Sequence, residues 1–358
     1  MGNATKGCLT KSRKYLPFGL ESRDNSSGAV EQRQRTAKGA RHDLPHAMTY
    51  RTHDVPVDGG ALRVGEWGPD DPGAPTVVAV HGITASHLAW AAIAQAMPQV
   101  RLIAPDLRGR GRSAGLPGPY GMLRHAADLE AVLQALKLPP AILVGHSMGG
   151  FVAVVAAHLH PDRFSGTLLV DGGLPLAVPV GIDKQELLEA TLGPALRRLS
   201  MTFPSRAAYL EFWRGHPAFA GNQWSDAVAD YASYDLTGTE PQLRPSASLE
   251  AVRQDSMELY GGGVVQAALE DLRPGHPEQS NTVSLLTAPR GLLNESPGLY
   301  SPSQIERWRA ELPAMTVREV TDVNHYTIVM GAAGASAVAG AVLRLLERRP
   351  QMVVDPVP

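Results

Sequence analysis

The chain has 358 residues, of which 44% are hydrophobic and 19% charged, and its formal net charge of -2 excludes a strong electrostatic preference for nucleic acid or an anionic membrane. The single cysteine, Cys8, excludes an intramolecular disulfide and argues against a cysteine-based metal cluster. There is no apolar run of the roughly 20 residues that span a bilayer and no apolar core of a secretory signal, so we expect a soluble, cytoplasmic protein.

Residues 1–47 differ in composition from the rest of the chain. They contain four of the six lysines, mixed with Ser, Asn, Gln and Gly. Such a segment buries too little apolar surface to offset the entropy lost on ordering. We predict a disordered tail, and we leave open whether Met48 is the native start.

From Tyr50 onward, the pattern predicts strands that alternate with helices. Asp58-Gly59-Gly60 separates the first two strands and suits a tight hairpin turn. Later strands are continuous apolar runs, which is typical of strands buried on both faces of a parallel sheet. In chain order, the predicted elements are strands 51–57, 61–67 and 76–81, helix 87–97, strand 99–105, helix 121–136, strand 141–145 with a helix behind it, and strand 166–171.

The alternation stops at Gly172, and about a hundred residues with helical patterns follow. A stretch of this length is too long for one loop, so we predict an inserted helical cap over residues 173–277. The predicted cap helices cover 184–199, 205–215, 248–260 and 264–272, and the main sheet resumes with strand 282–288, helix 301–312, strand 315–320 and helix 335–349. The predicted fold class is α/β, with a mostly parallel central sheet flanked by helices and built from residues 48–172 and 278–349.

The most informative motif is Gly145-His146-Ser147-Met148-Gly149, between a strand pattern and a helix pattern. In this context a G-x-S-x-G sequence predicts a nucleophile elbow, a sharp turn that lifts the serine hydroxyl clear of the sheet. The small residues on either side let the backbones pass closely. The helix behind Ser147 directs free N–H groups towards a developing oxyanion.

The chain resembles the α/β-hydrolase superfamily over almost all of residues 50–349. Four segments carry the resemblance, in the superfamily's order: His81-Gly82-Ile83-Thr84, Asp106-Leu107-Arg108-Gly109-Arg110-Gly111-Arg112-Ser113, the elbow, and Asn324-His325-Tyr326. Together with the cap, these motifs are similar to those of small-molecule esterases, lactonases and carbon–carbon bond hydrolases. Related epoxide hydrolases and dehalogenases use a carboxylate nucleophile, and Ser147 argues against both activities.

The resemblance implies a triad of Ser147, His325 and an acid. His325 is the only histidine after position 276 and occupies the expected place, in a loop after a strand. The usual acid position carries no carboxylate, so two candidates stay open: Asp171 at the end of the strand after the nucleophile, which we favour, and Glu295 in a longer loop. Asp322 is a third, weaker option.

The oxyanion hole is expected to consist of the backbone N–H groups of Ile83 and Met148. We expect His81 to support the backbone of the oxyanion loop, and His146 to be a packing or hydrogen-bonding neighbour. The arginine-rich segment after Asp106 is expected to be a structural, solvated turn pinned by ion pairs, with a direct substrate role as the minority interpretation. No cofactor and no metal are expected.

The function predicted from these residues is hydrolysis of a small-molecule carboxylic ester or lactone through an acyl-enzyme. A carbon–carbon hydrolase or perhydrolase on the same fold is the alternative, and a non-catalytic ligand-binding protein is the alternative from another class. The expected partner is a small apolar acyl or aryl substrate, without nucleic acid or membrane, and a homodimer is left open. Cap aromatics are candidates for the pocket wall: Tyr209, Phe212, Trp213, Phe219, Trp224, Tyr231, Tyr234 and Tyr260.

Overall fold

The computed structural model of the chain describes residues 49–71, 73–178, 181, 183–273 and 282–348. The tail predicted over residues 1–47 lies outside these residues. The predicted C-terminal end of the cap, residue 277, also lies outside the described residues. The extent of the cap, residues 173–277, therefore stays a prediction.

Ten strands are present in the described residues, and eight of them form the central sheet. In chain order they are β1 (Thr49–Val57), β2 (Gly60–Gly68), β3 (Thr76–Val80), β4 (Arg101–Pro105), β5 (Ala141–His146), β6 (Phe164–Val170), β7 (Leu236–Thr237), β8 (Arg244–Pro245), β9 (Val283–Thr287) and β10 (Thr316–Glu319). The order across the sheet is β1-β2-β4-β3-β5-β6-β9-β10, while β7 and β8 pair separately. β2 is antiparallel to both β1 and β4, and the remaining pairs of the large sheet are parallel.

The sheet is buried on both faces, which explains the continuous apolar runs in its central strands. All residues of β3 and β5 are buried. Because successive side chains of a strand point to opposite faces, Val78 and Val80 belong to one hydrophobic cluster while Val77 and Ala79 belong to the other. Polar residues on either face would therefore have been costly.

Eleven α-helices are present in the described residues: α1 (Ala91–Ala96), α2 (Met122–Ala135), α3 (Met148–Leu159), α4 (Lys184–Leu199), α5 (Arg206–Arg214), α6 (Asp226–Tyr234), α7 (Leu249–Ser256), α8 (Gly263–Glu270), α9 (Pro302–Glu311), α10 (Thr327–Met330) and α11 (Ala332–Glu347). Helices α2, α3 and α8 pack together on one face, and α1 packs with α11 on the other. None of these helices is long and apolar enough to cross a membrane.

Helices α4 to α8 all lie between β6 and β9 in the chain, where the sequence predicts a helical insertion. The pattern did not predict α6 or the short β7–β8 pair. Ser225 caps α6 by accepting a hydrogen bond from the Val228 N–H at 3.3 Å. The two strands of the pair are only two residues long, so they show no periodicity that a sequence pattern could reveal.

Candidate active site

Ser147 occupies the sharp turn between β5 and α3. Its backbone has φ 54° and ψ -123°, a region that costs a residue with a side chain about 1–3 kcal/mol. The turn is held from both sides, because the Ser147 N–H donates to the Val170 carbonyl at 3.0 Å and the Gly150 N–H donates to the Ser147 carbonyl at 2.9 Å. The sharp strand-to-helix turn predicted at Ser147 is therefore present in the backbone.

The glycines of the motif are required by close backbone approach. A Cβ added at Gly145 would lie 2.2 Å from the Gly149 carbonyl oxygen, and one added at Gly149 would lie 2.0 Å from the Val80 carbonyl oxygen. Both distances are far below any van der Waals contact, and both neighbours are backbone atoms that cannot rotate away. The motif's spacing thus reflects how tightly α3 sits against β3 and β5.

His325 lies between β10 and α10 and is hydrogen-bonded to a carboxylate. Its Nδ1 is 2.7 Å from Oδ2 of Asp171, and both side chains are buried. A carboxylate accepts hydrogen bonds, so the partner assigns a proton to Nδ1 and leaves Nε2 unprotonated in the neutral ring. His325 and Ser147 line the same cavity.

Asp171 follows β6 and is held by the neighbouring strand. Its backbone adopts a positive φ of 44°. Its N–H donates to the Leu286 carbonyl at 2.7 Å, and its Oδ1 accepts from the Ala288 N–H at 3.1 Å. Oδ2 is therefore the oxygen that faces His325, in an orientation fixed by the β9 end of the sheet.

Glu295, the alternative candidate for the triad acid, is hydrogen-bonded within its own loop, and Asp171 occupies the place beside His325. The structure therefore contradicts this alternative. The Glu295 side chain is exposed, and its Oε2 accepts from the Leu293 N–H at 2.7 Å. That local bond, together with hydration, satisfies the carboxylate without a histidine. Asp322 is exposed too, and the hydrogen bonds of the described residues include none between it and His325.

Ile83 and Met148, the predicted oxyanion residues, both line the cavity with Ser147. Met148 is the first residue of α3, where a helix N–H has no intrahelical acceptor. Gly82 brings the Ile83 loop against the serine, since a Cβ on Gly82 would be 3.2 Å from the Ser147 Cβ. Among the described residues, neither N–H has a hydrogen-bond acceptor.

His81 supports this loop from behind. Its Nδ1 lies 2.8 Å from the Gly82 carbonyl oxygen, and its Nε2 accepts from the Leu107 N–H at 2.9 Å. Burial lowers the pKa of His81 to about 4, although the negative charge of Asp106 acts to raise it. The ring is therefore neutral at pH 7, as its acceptor role towards Leu107 requires.

His146, expected to be a packing or hydrogen-bonding neighbour, contacts His325. Its Nε2 lies 2.9 Å from the His325 carbonyl oxygen, so Nε2 carries the proton. Burial and the nearby charge of His325 hold the pKa of His146 well below its usual value. A neutral ring at this place helps to anchor the backbone of His325.

Asp106 anchors a structural turn, as expected, but the expectation that the turn is solvated is wrong, because Asp106, Arg108 and Arg110 are buried. Its carboxylate accepts from the N–H and Nδ1 of His87 at 2.8 and 2.7 Å, from the Arg112 N–H at 2.8 Å, and from the Tyr234 hydroxyl at 2.6 Å. Burial raises the pKa of Asp106, but the hydrogen bonds from His87 and the charges of His87 and His81 together outweigh burial and hold the pKa at about 2. Neither Asp106 nor the three arginines that follow it line the cavity of Ser147.

The cavity around Ser147 has a volume of about 50 Å³. Its wall is mostly apolar, and it is formed by Gly82, Ile83, Thr84, Ala85, His146, Ser147, Met148, Phe151, Leu176, Thr191, Leu192, Ala195, Tyr231, Leu259, Leu292, Leu299, His325, Tyr326 and Met330. Among the eight aromatic residues of the insertion, Tyr231 lines it, whereas Tyr209, Trp213 and Phe219 are core residues. The described residues contain no group of three or more potential ligands that could hold a metal ion.

Tyr326 was missed as a wall residue, although its place directly after His325 was a signal. Neither its hydroxyl nor that of Tyr231 has a hydrogen-bond partner within the described part of the chain, and neither atom is fully sealed from solvent. These two hydroxyls are therefore free to donate a hydrogen bond to a bound molecule.

Comparison with known proteins agrees with this architecture. A family model described as "alpha/beta hydrolase fold" matches residues 75–235. The chain is 33% identical over 131 residues to Lipase LipV of Mycobacterium tuberculosis, a match that covers 37% of this chain and 48% of that one. It is 36% identical over 118 residues to an epoxide hydrolase of Caballeronia sordidicola, covering 32% of this chain and 35% of that one.

Solved structures share the fold over a longer stretch. The structure titled E-2-(Acetamidomethylene)succinate Hydrolase superposes with a TM-score of 0.67 at 21% identity, and the match covers 84% of this chain and 100% of that one. The matches to the first curated relatives span only 35% to 59% of their lengths. The sheet order, the strand-to-helix turn at Ser147 and the family match together show that the chain has the α/β-hydrolase fold.

Proposed function

We propose that this protein is a serine hydrolase that cleaves a small-molecule carboxylic ester or lactone through an acyl-enzyme. The observation that carries the proposal is the 2.7 Å contact between Asp171 and Nδ1 of His325, a residue that lines the same cavity as Ser147. A histidine held this way presents an unprotonated Nε2, which is the general base that a serine nucleophile needs.

In the first half-reaction, His325 Nε2 takes the proton of the Ser147 hydroxyl as Oγ bonds to the substrate's carbonyl carbon. The carbonyl oxygen becomes an oxyanion, and the N–H groups of Ile83 and Met148 donate to it. The ester C–O bond then breaks, and the alkoxide leaves as an alcohol with the proton held by His325. Asp171 stabilises the imidazolium that exists between these two proton transfers.

In the second half-reaction, a water molecule attacks the acyl group on Ser147 and transfers its proton to His325. The same N–H groups hold the second oxyanion. Collapse of this intermediate breaks the bond to Oγ, which takes the proton back, and releases the carboxylic acid. For a lactone, the alcohol and the acid are parts of one product.

The cavity favours a small acyl group. A volume of about 50 Å³ accommodates an acyl group of a few heavy atoms, since on the order of 10–15 Å³ is needed for one water molecule. Its apolar wall suits an alkyl or aryl group, and the hydroxyls of Tyr231 and Tyr326 suit a substrate with one further hydrogen-bond acceptor. The serine at the elbow supports acyl transfer rather than epoxide opening, for which related enzymes use a carboxylate.

The test is a panel of p-nitrophenyl esters, lactones and vinylogous diketones, assayed with the wild type and with Ser147→Ala. We expect the largest kcat/KM with short acyl esters, and a loss of several orders of magnitude in the variant. A fluorophosphonate probe is expected to add one label to the wild type and none to Ser147→Ala, as measured by intact mass. Labelling that persists in the variant would reject Ser147 as the nucleophile.

The panel also separates the alternatives. Turnover of diketones but not of esters would indicate a carbon–carbon hydrolase on the same site. Saturable binding of these compounds without turnover by the wild type would instead indicate a ligand-binding protein.

A further inference from the structure

Arg110 lies behind the Ile83 loop and contacts both Ile83 and Met148, the two residues proposed to form the oxyanion hole. Its Nε donates to the Ile83 carbonyl at 2.9 Å, and its Nη2 lies 3.8 Å from the Met148 Sδ. Its Nη1 also donates to the Arg108 carbonyl at 2.9 Å. The guanidinium is fully buried, so these contacts are not weakened by competing water.

Asp255, from α7 in the helical insertion, holds this guanidinium in place. It forms an ion pair with Arg110 Nη1, and neither side chain is exposed. The same carboxylate accepts from the Gly121 N–H at 2.6 Å and lies 3.0 Å from His125 Nε2. These partners belong to the α/β core and not to the helical insertion. Burial raises the pKa of Asp255, but His125 and Arg110 outweigh burial and hold the pKa at about 2.

Helix α7 is docked directly on the turn that carries Arg110. The Ser248 N–H donates to the Gly109 carbonyl at 2.8 Å. A Cβ on Gly109 would lie 2.5 Å from the Cβ of Ala251, so the turn and the helix touch with no room for a side chain between them. Movement of α7 away from this turn would therefore separate Asp255 from Arg110.

We propose that Arg110 and Asp255 are positioning residues that set the geometry of the oxyanion hole and make it depend on the docking of α7. Arg110 restrains the Ile83 carbonyl, which limits rotation of the backbone carrying the Ile83 N–H, and at the same time packs against the Met148 side chain. Asp255 fixes where the guanidinium lies. This inference rests on the function proposed above, because the two N–H groups matter only if an oxyanion forms.

Displacing the oxyanion donors is expected to slow the reaction more than it weakens substrate binding. Oxyanion donors act on charge that is larger in the transition state than in the bound substrate. A donor displaced by a fraction of an ångström to 1 Å costs catalysis up to about 100-fold but hardly alters ground-state binding. Loss of this restraint is therefore expected to lower kcat and to leave KM almost unchanged.

The chain supplies a matched control in the second buried ion pair of the same turn. Arg108 binds Asp128 with two hydrogen bonds of 2.9 Å, and both side chains are buried. The other hydrogen bonds of the Arg108 guanidinium go to the carbonyls of Pro117 and Asp58, which do not line the cavity. Asp128→Asn thus removes a charge from a comparable pair without touching the oxyanion residues.

The experiment compares Asp255→Asn, Arg110→Lys and Asp128→Asn in the full chain with p-nitrophenyl acetate. The kcat is expressed per active site titrated with a fluorophosphonate, so misfolded molecules do not count. The Ki of a trifluoromethyl ketone, which forms an oxyanion adduct, is measured alongside. Arg110→Lys keeps a charge beside Asp255 but lacks the Nε that bonds Ile83, and it remains informative if Asp255→Asn does not fold.

We expect Asp255→Asn and Arg110→Lys to lower kcat about 10- to 100-fold, with KM within about threefold and Ki raised in parallel with the loss of kcat. Asp128→Asn is expected to lower Tm but to keep kcat and Ki within about threefold. If Arg110→Lys keeps wild-type kcat and Ki per titrated site, the positioning role is wrong. If Ser147→Ala is as active as the wild type, the proposed function itself fails, which is a different result.

Discussion

Replacing Asp171 by Asn tests the acid of the proposed triad, and the structure predicts how the amide will orient. Asp171 Oδ1 accepts from the Ala288 N–H at 3.1 Å, while Oδ2 faces His325 Nδ1 at 2.7 Å. An asparagine keeps its carbonyl oxygen on the Ala288 N–H, because the amide nitrogen cannot accept that bond. Its NH₂ group therefore faces His325, where a second donor would oppose the Nδ1 proton.

The expected consequence is the wrong tautomer of His325. The ring accepts from the amide at Nδ1 and carries its proton on Nε2, so it cannot take the proton of Ser147. The imidazolium also loses its stabilising charge. A change of this kind lowers kcat about 10⁴-fold, which corresponds to about 5 kcal/mol of transition-state stabilisation.

The assay is hydrolysis of p-nitrophenyl acetate, with kcat expressed per titrated active site and Tm measured in parallel. Glu295→Gln is the matched control, because it makes the same chemical change on an exposed carboxylate whose hydrogen bond within the described residues is to Leu293 of its own loop. We expect the control to remain within about twofold of the wild type. A loss for Glu295→Gln as large as that for Asp171→Asn, or a loss for Asp171→Asn below tenfold, would refute the reasoning.

Three further predictions concern packing, pH and specificity. Gly149→Ala places a Cβ 2.0 Å from the Val80 carbonyl oxygen and should lower the free energy of unfolding by about 3 kcal/mol in urea titrations. The pKa of His81 is about 4 when folded and 6.5 when unfolded, so the unfolded chain binds more protons between these values and stability falls as pH drops. Between pH 7 and pH 5 this difference in protonation lowers the free energy of unfolding by roughly 2 kcal/mol. The variant His81→Gln should lack this part of the measured pH dependence. Tyr326→Phe should lower kcat/KM for acyl groups carrying a second acceptor about fivefold or more relative to plain alkyl esters.

Each of these predictions has a result that would count against it. Gly115→Ala is the control for packing, since a Cβ there meets no atom within 4 Å, and equal destabilisation of both variants would contradict the close-approach argument. An unchanged difference in stability between pH 7 and 5 in His81→Gln would show that His81 does not carry the effect. Equal losses for polar and alkyl esters in Tyr326→Phe would exclude recognition through the hydroxyl.

The local pattern determined the order of elements in the core and the position of the elbow. Strands buried on both faces must be continuously apolar, so β3 and β5 were visible as runs, and the elbow glycines stand where backbones touch. The helix α6 was not visible in the same way. Three of its nine residues, Asp226, Asp230 and Ser233, are polar, and its place depends on packing against α5 and against residues 87–90 of the core.

The partners of the functional side chains were decided by the tertiary structure. Three carboxylates, those of Asp171, Glu295 and Asp322, were compatible with the sequence as partners of His325, because spacing along the chain does not report distance between strand ends. The parallel pairing of β6 with β9 brings the end of β6 to the Ala288 backbone, and this places Asp171 rather than Glu295 beside His325.

The ion pair between Arg110 and Asp255 is a second partnership that the sequence could not predict. The sequence by itself determined that the segment after Asp106 is a turn rich in arginine and that a helix covers Asp255. Only the folded chain decided that this helix docks on this turn, because burying a guanidinium requires a carboxylate partner supplied by a distant segment. Local residue types dictate backbone shape, whereas the pairing of buried charges depends on long-range packing.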